Sequence, residues 1–384
     1  MANKNHVSYY PVRHHNQFRL LINALEFYPA ILNSINQAQS EIVIENYLTN
    51  SGDVFSQFIT ALLQAAKRGV TIYCLFDSFG SKGISQEDLS LLNTNNIHVQ
   101  FYNRIRYHKH LRNLFRDHRK IFIIDRSLVY IGGAGLSDQF DPNSKHAWHD
   151  IMLSVQGEIV QDWFLLFKQN WNKENKSLLT SQVNNNNTPP SFTKFKQTGK
   201  IITFTAPHRQ EIKKHLLREI NKSKNIILLT TPYFVPSRKL RRALIRASER
   251  GVDVKLMLPG KITDHPAVRI IGQRHYAQLL RHGITIFEFS THFSHAKVLL
   301  CDDWVTTGSS NFDRWNFKWN LEANQTISDL NFAVTIKHWF EEELSDCKEI
   351  NYEQWRNRSR SQRIKEWFWG IVVQMLEKLK RPPN

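Results

Sequence analysis

The feature that most limits what this chain can fold into is a repeat inside it. Tyr28-Pro29-Ala30-Ile31-Leu32 opens an apolar pattern at helical spacing that runs to Gln39. A strand-like run, residues 42–47, follows. A second helical pattern, Phe58 to Lys67, stops at Arg68-Gly69, and residues 70–77 then read as a buried strand. The same order returns later. Ile212 to Lys222 has helical spacing, residues 226–231 read as a strand, Leu240 to Glu249 as a helix stopped by Arg250-Gly251, and residues 252–258 as a strand. Gly69 and Gly251 lie 182 positions apart, close to the 177 that separate His118 from His295. Strands alternating with helices in both halves predict two similar α/β/α units with mixed sheets, packed together.

The expected boundaries are a first half over residues 1–172, a polar linker over 173–200, a second half over 201–350 and a basic amphipathic tail over 351–384. The linker contains four consecutive asparagines, Asn184 to Asn187, before Thr188-Pro189-Pro190. In the tail, Arg356, Arg358, Arg360, Arg363 and Lys365 precede Trp367, Phe368, Trp369 and Ile371. That segment either packs on the body or lies in a membrane interface, being too short and too interrupted to span.

A chain of 384 residues with 41% hydrophobic and 22% charged residues has ordinary globular composition. Its net charge of +17 favours anionic partners, either nucleic acid or acidic lipid. The three cysteines, Cys74, Cys301 and Cys347, form no CxxC pair and argue against a disulfide framework. Residues 1–15 lack an apolar core, so no signal peptide is expected, and no transmembrane run is visible.

Two segments carry the chemistry. His118-Arg119-Lys120 runs through Ile121-Phe122-Ile123-Ile124 to Asp125, with Gly132-Gly133 downstream. His295-Ala296-Lys297 runs through Val298-Leu299-Leu300-Cys301 to Asp302, with Gly308-Ser309-Ser310-Asn311 downstream. On a strand, His and Lys two apart share one face. An imidazole and an ammonium then enter one cavity, an arrangement suited to a phosphate. Roughly 0.05 such matches are expected by chance in a chain of this composition, so two are not accidental.

These segments resemble the duplicated H-x-K-x4-D motifs of the phospholipase D superfamily. The wider pattern is similar to bacterial cardiolipin synthases of the short type without N-terminal transmembrane helices. It covers residues from about Tyr28 to about Asp346 and includes Arg68-Gly69-Val70, Arg250-Gly251-Val252 and Asn320-Leu321-Glu322-Ala323-Asn324.

The resemblance implies one shared site and a two-step transfer. One histidine attacks phosphorus to give a phosphohistidine, and the other protonates the leaving alcohol, then deprotonates the incoming one. His118 is assigned the first role and His295 the second, with the reverse left open. Lys120, Lys297, Asn311 and Ser309 would hold or orient the phosphate. Asp150 and Glu322 stand where the family places carboxylates that orient the imidazoles, and Asp125 and Asp302 are expected to hold the motifs' local structure. The chain departs from the pattern at Gly135, where the family usually has Asn.

The implied partner is an anionic phospholipid membrane carrying phosphatidylglycerol and cardiolipin, visited peripherally at the cytoplasmic face of the bacterial inner membrane. No cofactor and no nucleic-acid partner is implied, and the oligomeric state is open. A nuclease or phospholipid hydrolase of the same superfamily is the alternative, and a non-catalytic membrane-binding scaffold the third reading. No metal site is expected, because His14-His15, His108/His110 and His292/His295 lack Cys or carboxylate partners at ligand spacing. The basic run of Arg104, Arg106, His108, Lys109, His110, Arg112 and Arg116 reads either as a solvated loop or as a flap that meets anionic head groups. Asp264, His265, Arg269, Arg274 and Tyr276 resemble the stretch before the family's second motif, where a head-group pocket would lie.

Overall fold

A computed structural model describes residues 10–93, 96–106, 112–174, 192–205, 209–313 and 320–361, together with Ile364 and Phe368. Among the described residues, seven strands of each half follow the same spatial order. In the first half the order is Ile97–Tyr102, Thr71–Asp77, Glu41–Asn46, Lys120–Ile124, Leu128–Gly132, Ile151–Gly157 and Arg13–Ile22. In the second half it is Thr285–Phe289, Asp253–Leu258, Ile226–Thr230, Val298–Cys301, Trp304–Gly308, Asn320–Ser328 and Gln197–Thr205. The first three strands of each set are parallel and the rest antiparallel, so each sheet is mixed.

The two sheets do more than pack against each other. Arg13–Ile22 pairs with Gln197–Thr205, and this antiparallel seam joins them edge to edge. Strand alternation then divides the side chains between two layers. Val43, Ile121 and Ile123 face a core shared with Leu228, Leu300 and Val305 of the other half. Their neighbours Ile42, Ile44 and Phe122 pack under helices Asn23–Gln37 and Asp53–Lys67. In the second half Ile227, Leu229 and Leu299 pack under helices Glu211–Lys222 and Arg238–Glu249. Helices Val160–Glu174 and Leu330–Glu343 supply Trp163, Phe167, Ile336 and Phe340 to the shared core.

Four expectations shift. The first helix begins at Asn23, five residues before Tyr28, and carries Pro29 in its interior. The expected linker bounds of 173 and 200 fall inside regular elements, Lys173 in helix Val160–Glu174 and Lys200 in strand Gln197–Thr205. That strand's first residues are polar and carry no alternating pattern. It forms because neighbours bind it on both sides, through Arg13–Ile22 and Asn320–Ser328. The Asn184–Pro190 stretch lies outside the described residues. The tail's start is part of the body: helix Tyr352–Arg356 buries Trp355 against Tyr276, ring centroids 5.0 Å apart. Arg363, Lys365, Trp367 and Trp369 lie outside the described residues, as do His108, Lys109 and His110.

Arg116 is no flap residue. It is buried, donates to Asp77 and to the Asn113 carbonyl, and closes the loop internally.

Candidate active site

Both motif histidines sit just before their strands, which begin at Lys120 and Val298. The strands that follow are buried and end at an aspartate with left-handed backbone, φ +48° at Asp125 and +56° at Asp302. Asp125 accepts backbone N–H bonds from Gln39, Ser40 and Glu41 at 2.8–3.0 Å. Asp302 accepts from Lys224, Asn225 and Ile226 at 2.8–3.0 Å. Each aspartate ties the far end of its motif strand to the start of the neighbouring strand, with no polar reach toward the histidines.

Each histidine is held by the opposite half. The His118 N–H donates to the Leu321 carbonyl at 3.0 Å, and its Nδ1 faces Glu322 Oε1 at 3.1 Å. The His295 N–H donates to the His149 carbonyl at 2.6 Å, and its Nδ1 lies 2.7 Å from Asp150 Oδ2. In both cases the main-chain anchor is the residue immediately before the carboxylate. The two imidazole–carboxylate pairs are thus exchanged between the halves, and neither half can orient its own histidine.

The surroundings of His118 Nδ1 also fix its tautomer. Glu322 and the Ser309 carbonyl at 3.1 Å are acceptors, so Nδ1 carries the proton and Nε2 keeps its lone pair. Ser309 Oγ donates to Glu322 in turn. His295 is held differently: Lys297 Nζ lies 3.1 Å from its Nε2 and also donates to the His295 carbonyl. Lys120 Nζ donates to the His118 carbonyl at 2.6 Å.

Burial dominates the electrostatics. It lowers His118, an effect Glu322 opposes and Lys120 reinforces. It lowers His295 well below the usual imidazole range, with Lys297 and Lys120 adding to the effect. It raises Asp150 to about 6 against the pull of Lys297. Lys120 falls to about 7 and Lys297 to about 8, both mainly through desolvation. Two ammonium groups so poorly solvated form a site that is stabilised by an incoming anion.

Asn311 is buried, and its Oδ1 has no hydrogen-bond partner. In the first half Gly135 leaves no place for its counterpart. A Cβ there would stand 2.5 Å from the Leu48 carbonyl, and the Gly135 carbonyl accepts from Tyr28 Oη at 2.6 Å. Three side chains that sequence reasoning missed border the same space. Asn46 stands opposite Lys120 across the strand pair, fully buried, with neither amide atom hydrogen-bonded. The Tyr47 ring packs on His118 at 4.8 Å, and Tyr233 lies 6.3 Å from His295. The signal is weak but present: Tyr47 directly follows strand Glu41–Asn46, and Tyr233 comes three residues after the end of the equivalent strand Ile226–Thr230.

The stretch expected to line a head-group pocket divides. Asp264 accepts from the Tyr233 hydroxyl beside His295. Arg269 and Tyr276 instead point at Glu288, at 2.6 and 3.1 Å, inside the second half, and Arg274 lies beside His275.

Residues 31–171 and 216–344 match the family described as cardiolipin synthase, PLD-like domain. The chain belongs to this family. It is 31% identical to cardiolipin synthase B of Escherichia coli strain K12 over 354 residues, covering 88% of this chain and 83% of that protein. It is also 31% identical to cardiolipin synthase B of Salmonella typhimurium strain LT2, covering 95% and 87%. Among solved structures, phosphatidylserine synthase of Haemophilus influenzae superimposes with a TM-score of 0.72 at 13% identity, over 94% of this chain and 95% of that one, which shows the shared fold. Among the described residues no helix is long and apolar enough to cross a membrane.

Proposed function

We propose that this phospholipase D-type phosphatidyltransferase acts as a cardiolipin synthase, moving a phosphatidyl group from phosphatidylglycerol to a lipid alcohol. The observation that carries the mechanism is the exchange of carboxylates between halves, which leaves two differently held imidazoles facing one buried, cationic space. His118 Nε2, with its proton fixed on Nδ1 by acceptors, attacks phosphorus and forms the P–N bond. The P–O bond to glycerol breaks, and His295, which must enter this step protonated against burial with Asp150 as its counter-charge, gives its proton to the leaving alkoxide. His295 then removes the proton of the acceptor hydroxyl, whose oxygen attacks phosphorus and releases His118. Lys120, Lys297, Asn311 and Asn46 surround the phosphate oxygens, and Asp150 and Glu322 stabilise each imidazole in its charged form.

Transfer rather than hydrolysis requires a concentrated lipid acceptor and little water, so the site must work at a membrane surface. Leu25 and Ile262 are exposed on the rim of a cleft of about 220 Å³ that Lys145 and Trp148 also line, close to His295. Apolar side chains beside a lysine suit an anionic lipid interface.

Purified enzyme with phosphatidylglycerol vesicles should yield cardiolipin and glycerol in equal amounts. His118→Ala and His295→Ala should each remove nearly all turnover. Phosphatidic acid as the main product would make the enzyme a hydrolase. Rapid cleavage of DNA with no lipid product would make it a nuclease.

A further inference from the structure

A second pair of imidazoles lies behind the first. His149, whose carbonyl holds the His295 N–H, stacks on His292 with ring centroids 3.6 Å apart and planes 19° from parallel. Glu343, at the end of helix Leu330–Glu343, completes the cluster. Among the described residues these three side chains, each of a type that can ligate a metal, have one donor atom apiece within 4.8 Å of the others. The sequence offered His292 only with His295. The fold instead sets it beside a histidine from the other half and a glutamate from a helix of its own.

Unpaired polar atoms point the same way. His149 Nδ1, His292 Nε2 and Glu343 Oε2 are all buried and all without a hydrogen-bond partner. Buried polar atoms are ordinarily satisfied, so three orphans on the residues of one cluster call for a shared partner. His292 Nε2 and Glu343 Oε2 stand 3.5 Å apart, too long for a hydrogen bond. That separation is close to what bonds of about 2.0–2.1 Å impose on neighbouring ligands of a tetrahedral ion. The other nitrogen of His292 is already engaged. Its Nδ1 lies 2.9 Å from Thr291 Oγ1 and 3.9 Å from Asp346 Oδ2, oxygens that fix the ring and leave the lone pair on Nε2.

We propose that His149, His292 and Glu343 bind a zinc-type divalent cation that pins the two halves together behind the motif histidines. Two imidazoles and one carboxylate suit a borderline first-row ion, whereas calcium and magnesium prefer all-oxygen sets. The cleft lined by His149 and His292 gives the ion an entry path and gives water the fourth position. The pinned elements matter to the catalytic geometry. His149 lies on the short strand Trp148–His149, which pairs with Phe293–Ser294, and these two pieces lead directly into Asp150 and His295. The ion would be structural, and the assignment does not depend on which phosphodiester the enzyme uses.

The test uses the full chain without a histidine tag, freed of metal by chelator and dialysis. Zinc titration followed by calorimetry should show one tight site per chain. Cobalt should give the visible absorption of a tetrahedral nitrogen–oxygen set, and zinc should raise the melting temperature by mass action. In Glu343→Gln, which keeps the side chain's shape, and in His292→Ala, affinity should fall more than tenfold and the zinc-induced melting shift should vanish. With 17 histidines in the chain, weak binding elsewhere is the alternative. Zinc binding equal in the parent and Glu343→Gln, or a melting temperature indifferent to zinc, would overturn the assignment. Should His292→Ala not fold, Glu343→Gln decides alone.

Discussion

Asn46 is buried with both amide atoms unpaired, which is an unfavourable arrangement for stability alone. Its position opposite Lys120 gives the cost a purpose, a carboxamide for the half in which Gly135 supplies none. Asn46→Ala should therefore lower turnover roughly 10-fold to 100-fold while leaving the melting temperature unchanged or higher. A fall in stability with unchanged turnover would make it a packing residue. The lysines make a second prediction. Lys120 faces Glu322, Lys297, Asp150 and Asp117, and Lys297 faces Asp150, Glu322, Asp264 and the His295 ring. With values near about 7 and about 8, both bear charge in acid and lose it as pH rises. A phosphodiester remains a monoanion throughout, so KM for phosphatidylglycerol should rise severalfold between about pH 6 and pH 9. A flat KM would show that the ammonium groups do not hold phosphate. The histidines and lysines were legible because they are neighbours in sequence. Their exchanged carboxylates lie 204 and 145 positions away, and no local pattern shows which imidazole each one meets.

At the scale of elements, the motif strands depend on how their ends are fastened. Partial burial pushes the Asp125 carboxyl up, but the N–H groups of Glu41, Gln39 and Ser40 outweigh it and leave the value below the ordinary one. Asp302 behaves alike. A depressed folded-state value means that the stabilisation is fully present above the unfolded carboxylate value near about 4 and is lost as pH falls through the folded one. Asp125→Ala removes these bonds and also places alanine at φ +48°, so it should cost about 2–3 kcal/mol in urea unfolding at neutral pH. The difference from the parent should shrink toward pH 3. A loss that persists unchanged in acid would contradict the carboxylate's role. Elements with their own periodicity, such as Asp53–Lys67 and Arg238–Glu249, are readable from apolar spacing and their Arg-Gly stops. Strand Gln197–Thr205 is not, because its polar start is held by two neighbours rather than by its own pattern. Arg116 misleads for the converse reason: a basic residue in a basic run reads as solvated until the fold sets Asp77 beside it.

For the molecule as a whole, duplication makes the architecture legible, since two equivalent sheets must each cover two faces. The seam through Arg13–Ile22 is not legible, because an edge strand's partner is decided by the assembled halves. Beyond this body the chain continues into its basic, aromatic end. The body claims Trp355, whose ring also carries the Arg358 guanidinium at 4.8 Å. Past Ser361 the two described residues are both exposed, Ile364 at 63% and Phe368 at 54%, four residues apart. Two large apolar residues at one helical spacing, following Arg356, Arg358 and Arg360, suit insertion at an anionic surface better than core packing. Truncation before Ile364 should therefore leave the melting temperature within about one degree of the parent, because exposed side chains contribute little to folding. It should weaken flotation with phosphatidylglycerol vesicles severalfold and reduce cardiolipin formation on vesicles more than turnover of a water-soluble phosphodiester. Raising salt from about 0.05 to 0.5 M should weaken flotation of both proteins, since Arg356, Arg358 and Arg360, which the truncation keeps, act over a screened distance of about 10 Å or less. Unchanged flotation with a lowered melting temperature would assign the segment to the body, and membrane docking would then rest on the cleft rimmed by Leu25 and Ile262 alone.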